Sequence, residues 1–253
     1  MKMIDLNCDM GESFGTYVLG YDEQAMPFVT SINVACGIHA SDPDNMAKTI
    51  KLAKKYGIAV GAHPGFPDLV GFGRRSMALS PDEVKNTVMY QIGALAAFCR
   101  SEGMKMQHVK AHGALYNMAE KDLPIAMAIA AAIKAVDPAL YMLCLANSQM
   151  VIAAKQLGIP FVEESFADRA YTDEGTLVSR KLAGSVIHDI DQVVSRVVRM
   201  VKEQSVISIT GKEIPIQTQT VCVHGDTPGA VDMVKALKAA LEKENIALRA
   251  FGA

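Results

Sequence analysis

Short apolar runs alternate with longer amphipathic stretches along the chain. The apolar runs at Met3–Asn7, Ser31–Ala35, Ala59–Ala62, Gln107–Ala111, Tyr141–Leu145, Phe161–Glu163 and Thr220–His224 read as strands, each bounded by polar residues or glycine. Helical patterns with clear start signals lie between most of them. Asp42-Pro43 precedes Asp44–Tyr56, and Thr227-Pro228 precedes Gly229–Asn245. Ser80-Pro81-Asp82-Glu83 combines a capping box with proline at the first helical position. Such alternation calls for a parallel sheet joined by right-handed crossovers.

An open doubly wound sheet gathers its chemistry at one crevice, whereas a closed barrel distributes it around a rim. Here polar residues follow nearly every strand, which favours an α/β fold with a seven-stranded parallel (β/α) barrel of TIM-like type. Leu177–Gln219 breaks the rhythm. It holds a helix, Asp189–Gln204, then Val206–Thr210 and Glu213–Gln217 around Gly211-Lys212, which read as a small β-hairpin added near the C-terminal third. With no linker, low-complexity tract or repeat, residues 1–253 read as a single domain.

Composition narrows the class. Half of the 253 residues are hydrophobic and the formal charge is −2, so no basic face for nucleic acid is expected. No apolar run reaches the length of a membrane span. Charge appears by Lys2 and Asp5, which argues against a signal peptide and for a cytoplasmic location. The five cysteines, an odd number without a CxxC pair, are expected to be reduced and mostly buried.

Strand parity then places the chemistry. Ile4, Leu6 and Cys8 share one face of the first strand, and Asp5, Asn7 and Asp9 share the other. In a barrel the apolar set packs under the helices and the polar set points inward. Inward carboxylates must be satisfied by one another or by a ligand. Lys110 and His112 share a face, with His108 deeper on the same face, as do Cys222, His224 and Asp226. His39, His63, His112 and His224 each follow a candidate strand, and Glu163-Glu164 and then Asp168-Arg169 follow the sixth, whereas His188 lies apart and reads as surface. A single histidine there is often structural; four beside several carboxylates point to a functional rim. An inward Lys110 needs an anion, either a neighbouring Asp or a substrate carboxylate or phosphate.

Two chemistries suit such a rim. One is a metal-bound water held by His39, His63 and an Asp such as Asp9, although no HExxH is present. The other is metal-free proton transfer, with His and carboxylate as acid and base and Lys or Arg steadying an oxyanion. The loops Gly71-Phe72-Gly73-Arg74-Arg75 and Gly225-Asp226-Thr227-Pro228-Gly229 are candidates for binding anions, the first equally readable as an ion-paired turn.

Several of these segments together resemble the LamB/YcsF family. The matching stretches are the run from Asp5 to Gly15, Asn33–His39, Gly61–Asp68, Gly71–Arg75, Val109–Tyr116, Phe166–Tyr171 and Cys222–Asp226, which extend from the first strand to the last. The resemblance implies a barrel of glycoside hydrolase/deacetylase type and a hydrolase acting on a cyclic amide. The implied reaction is ATP-coupled cleavage of 5-oxo-L-proline to L-glutamate, using ATP with Mg2+, in a complex with partner subunits B and C; self-association is also compatible. On this view Lys110 or Arg169 holds the substrate carboxylate, and Asp9, His63 and His112 handle protons at the lactam. The expected catalytic set is Asp9, His63, Lys110 and His112. The expected substrate-binding set is Asn7, Glu12, His39, Tyr116, Asp168, Arg169, His224 and Asp226, and no tightly bound metal is expected. The competing readings are a metal-dependent amidohydrolase or carbohydrate deacetylase, and a non-catalytic subunit that presents a small acid.

Overall fold

The computed structural model describes residues 2–224 and 229–252. Ten strands are described: β1 (Lys2–Met10), β2 (Ser31–Ala35), β3 (Ala59–His63), β4 (Met106–Val109), β5 (Tyr141–Leu145), β6 (Phe161–Phe166), β7 (Ser205–Ile207), β8 (Glu213–Pro215), β9 (Thr220–Val223) and β10 (Ile246–Leu248). The helices are α1 (Asp22–Ala25), α2 (Pro43–Tyr56), α3 (Pro81–Ser101), α4 (Gly113–Ala119), α5 (Leu123–Val136), α6 (Gln149–Leu157), α7 (Ile190–Glu203) and α8 (Ala230–Lys243).

β1 to β6 pair in sequence order, all parallel, and β9 pairs with both β6 and β1, closing a seven-stranded barrel. β10 adds in parallel to the first half of β1, outside the ring. The antiparallel β7–β8 pair is the expected hairpin, with shorter arms than the sequence suggests. α7 and this hairpin occupy the crossover between β6 and β9. Among the described residues no helix is long and apolar enough to cross a membrane.

The helix signals act as read. The Asp42 side chain accepts from the amides of Asp44 and Asn45, and Ser80 and Glu83 form a reciprocal capping box. The Thr227-Pro228 start lies outside the described residues. The apolar faces of the strands, including Ile4, Leu6, Ile32 and Val34, pack against Met46 and Ile50 of α2 and Val88, Ile92 and Leu95 of α3. This shell between strands and helices is the hydrophobic core.

The barrel interior is polar and layered. At its base Asp5 accepts from the hydroxyls of Thr30, Ser31 and Thr220. Above it Asn7 donates to Thr220 and Glu164, and Asn33 donates to Asn7 and Asp9. His108 Nε2 lies 2.8 Å from Asn33 Oδ1, which makes that nitrogen the donor. A directed chain thus runs from His108 through Asn33, Asn7 and Thr220 to Asp5. Gly61 is required beside it, because a Cβ there would collide with the His108 ring. Burial pushes Asp5 up to about 6 despite its three hydroxyl donors, and burial brings His108 down to about 3.

Candidate functional site

The top layer of the interior opens into a cavity of about 530 Å³ at the C-terminal ends of the strands. Barrel enzymes place their chemistry at this end. Lys110, one residue beyond β4, stands at its floor and is 2 % exposed. Its Nζ lies 2.9 Å from Glu164 Oε1, 3.1 Å from Asp9 Oδ1 and 2.9 Å from Cys222 Sγ. Glu164 also accepts from Asn7 at 3.0 Å and from the Tyr116 hydroxyl at 2.9 Å. Burial alone would lower the Lys110 pKa, but Asp9, Cys222 and Glu164 outweigh it and hold the ammonium well above its ordinary range. Burial would likewise raise Asp9, but His63 and Lys110 hold it well below the carboxylate range. The centre is therefore an ion-paired cluster of one cation and two anions.

Beside it three imidazoles meet. His63 Nδ1 lies 2.8 Å from the Lys110 carbonyl, and His112 Nε2 lies 2.8 Å from the Phe72 carbonyl. A carbonyl only accepts, so both of those nitrogens carry hydrogen. The remaining nitrogens, His63 Nε2 and His112 Nδ1, face each other at 2.9 Å. Two lone pairs at that distance need a proton or another cation between them. His39 stacks on His112 with ring centroids 3.7 Å apart, and neither of its ring nitrogens has a hydrogen-bond partner. Burial first, then neighbouring imidazoles, hold His39 and His112 well below the usual imidazole range, so both are neutral near pH 7.

The opposite wall comes from the segment after β6, which folds back through bridges Arg169–Val186 and Tyr171–Leu177. Arg169 is buried and lines the cavity; it donates to the Val178 carbonyl at 2.7 Å, while its Nε has no hydrogen-bond partner. Burial and the nearby Arg180 lower it to about 10. His224 Nδ1 lies 2.9 Å from Asp168, and Arg180 reaches its Nε2 at 3.0 Å. Arg74, Lys121, Arg180 and Lys181 add positive charge to the walls.

Eight of the twelve residues expected at the site line this cavity: Asp9, Glu12, His63, Lys110, His112, Tyr116, Arg169 and His224. Asn7, His39 and Asp168 stand behind it, as links to Glu164, to the His112 ring and to His224. Asp226 and most of its glycine loop lie outside the described residues. Two readings that the sequence leaves open are narrowed. Lys110 takes the neighbouring-carboxylate alternative, pairing with Asp9 and Glu164. The Gly71–Arg75 loop is not an open anion cradle: Arg75 pairs with Asp68, which also accepts from the Gly71 amide, and Arg74 lies over the Phe72 ring. Glu164, which the sequence places after the sixth strand but outside the expected catalytic and substrate-binding sets, is a principal partner of Lys110. β6 runs three residues further than its apolar pattern suggests, so Glu164 lies within the strand and points inward.

A closed parallel barrel with a buried, charge-paired polar centre under an open cavity defines a (β/α)-barrel protein with its candidate site at the C-terminal ends of the strands. The chain belongs to the LamB/YcsF family, whose model matches residues 4–253. It is similar to a protein from Clostridium beijerinckii named as the A subunit of 5-oxoprolinase, 56 % identical over 97 % of this chain and 96 % of that one. A protein of the same name from Campylobacter jejuni is 53 % identical over the same shares. The crystal structure of a lactam utilization protein from Thermus thermophilus superposes with a TM-score of 0.94, at 46 % identity, covering 99 % of this chain and 100 % of that one.

Proposed function

We propose that this chain is the lactam-handling component of an ATP-dependent 5-oxoprolinase, which cleaves 5-oxo-L-proline to L-glutamate in a complex with subunits B and C. The observation that carries the reading is the buried Asp9–Lys110–Glu164 cluster with His63 and His112 at the floor of a cation-walled cavity. The names of its relatives supply the substrate class.

The chemistry fits the substrate. 5-Oxoproline carries one carboxylate and an unstrained lactam whose amide resonance resists attack. Coupling to ATP supplies the driving force that ring opening lacks. Arg169 suits the carboxylate, because its Nε is unpartnered and the wall around it is partly apolar. The fixed Lys110 ammonium offsets the charge of Asp9 and Glu164 at the cavity floor, which lets an anionic substrate sit above them. The His63–His112 pair accepts the lactam N–H proton, with the Asp9 carboxylate 3.4 Å from His63 Nε2 favouring the imidazolium that forms. Loss of that proton directs electron density onto the carbonyl oxygen, which prepares it for phosphorylation by ATP. Arg74, Arg180 and Lys181 at the mouth suit the phosphates of Mg2+-ATP.

Glutamate release from 5-oxoproline, measured with and without ATP and with and without subunits B and C, tests this. Release only in the complete, ATP-supplied mixture supports the reading. No release from that mixture contradicts it.

A further inference from the structure

We propose that Glu12, His39, His63 and His112 form a binding site for one divalent transition-metal ion of the zinc class, placed between the barrel wall and the cavity. One donor atom from each lies within 4.8 Å of every other. Tetrahedral ligands at about 2.0–2.1 Å from zinc stand roughly 3.4 Å apart. The separations here bracket that spacing: 2.9 Å for His63 Nε2 to His112 Nδ1, 3.8 Å for His112 Nδ1 to Glu12 Oε1, and 3.9 Å for His39 Nε2 to Glu12 Oε1. Closing the set requires the stacked His39 and His112 rings to splay so that one nitrogen of each points at a common centre.

The tautomers make the case specific. The Lys110 and Phe72 carbonyls take the N–H of His63 and His112, which is the outer-shell arrangement that aims the other ring nitrogen at a metal. A shared proton would satisfy the His63–His112 contact alone. It would leave His39, fully buried and without a hydrogen-bond partner on either nitrogen, unexplained. A cation beside Glu12 satisfies all three imidazoles together. Three nitrogen donors and one carboxylate suit zinc and its first-row neighbours rather than Mg2+, which prefers oxygen.

A second group, Asp9, Cys222 and His224, also converges. It suits a metal less well. Lys110 occupies both Asp9 and the Cys222 sulfur, and His224 is held on one side by Asp168 and on the other by Arg180. Burial also pushes the Cys222 thiol well above its ordinary range, away from the thiolate a metal needs.

The ion and the lactam proton compete for the same facing nitrogens of His63 and His112, so the inference is measured on the isolated chain without substrate or nucleotide, where its failure is distinct from failure of the lactam reading. The chain, stripped with a chelator and reloaded with Zn2+ or Co2+, is desalted and its metal counted. One ion per chain is expected, and the cobalt form should show visible bands of a nitrogen and oxygen site without sulfur charge transfer. Glu12→Gln and His39→Ala should each lose the ion while keeping wild-type circular dichroism, and Cys222→Ser should retain it. Three outcomes overturn the site: no retained metal in the wild-type chain, binding unchanged in both ligand variants, or sulfur charge transfer abolished by Cys222→Ser.

Discussion

Lys110 Nζ and Glu164 Oε1 lie 2.9 Å apart in the barrel interior, where the lysine is 2 % exposed and the glutamate fully buried. Removing one member of such a pair leaves an uncompensated buried charge, at a cost of about 3–5 kcal/mol. Lys110→Met strands both Asp9 and Glu164 and should lower stability by that order in denaturant titration. Adding Glu164→Gln should restore part of the loss. Equal stability of Lys110→Met and wild type would show that the pair is not ionised as described.

Gly61 and His108 should be energetically coupled. A Cβ at position 61 meets the His108 ring, which is held by Asn33. Overpacking of this kind costs about 1–3 kcal/mol. Gly61→Ala should therefore lower the melting temperature, and should do so less in a His108→Ala background. Additive effects in that double-mutant cycle would rule out the contact.

Asp5 should titrate late. Its native pKa is raised from 3.8 to about 6, chiefly by burial. The native carboxyl thus holds its proton more tightly than the unfolded chain does. The stability it contributes is full below the unfolded value and is lost as pH rises through about 6. The loss is at most about 3 kcal/mol. A carbon-13 titration of the Asp5 carboxyl should give a midpoint near 6, and Asp5→Asn should remove this group's part of the decline. A midpoint near that of a free carboxyl would contradict the burial.

Much of this was legible in the chain, and the rest failed for identifiable reasons. The alternation of Asp5, Asn7 and Asp9 with Ile4, Leu6 and Cys8 placed the polar face inward, because side-chain parity is a local property of a strand. It did not show depth. Asp5 and Asn7 sit below the mouth and are consumed by Ser31, Thr220 and Glu164, partners brought in by ring closure from up to 215 residues away. β10 has three residues and pairs only with the start of β1, too short for any pattern to announce it. The cavity wall at Arg169 and Arg180 depends on an irregular segment with neither helical nor strand periodicity.

Arg169 should govern substrate affinity. A charge-assisted hydrogen bond contributes about 1.5–3 kcal/mol. Arg169→Met should therefore raise KM for 5-oxoproline about 10- to 100-fold, with a smaller change in kcat. A lower kcat at unchanged KM would assign the carboxylate to another residue.

The central claim is that the buried centre of this barrel handles the lactam. It is tested most directly by ATP-dependent glutamate release from 5-oxoproline in complexes assembled with subunits B and C, comparing the wild-type chain with Lys110→Ala and His112→Ala. Turnover is expected in the wild-type complex, with near-complete loss in both variants while the complexes still assemble. Wild-type turnover in both variant complexes would contradict the claim.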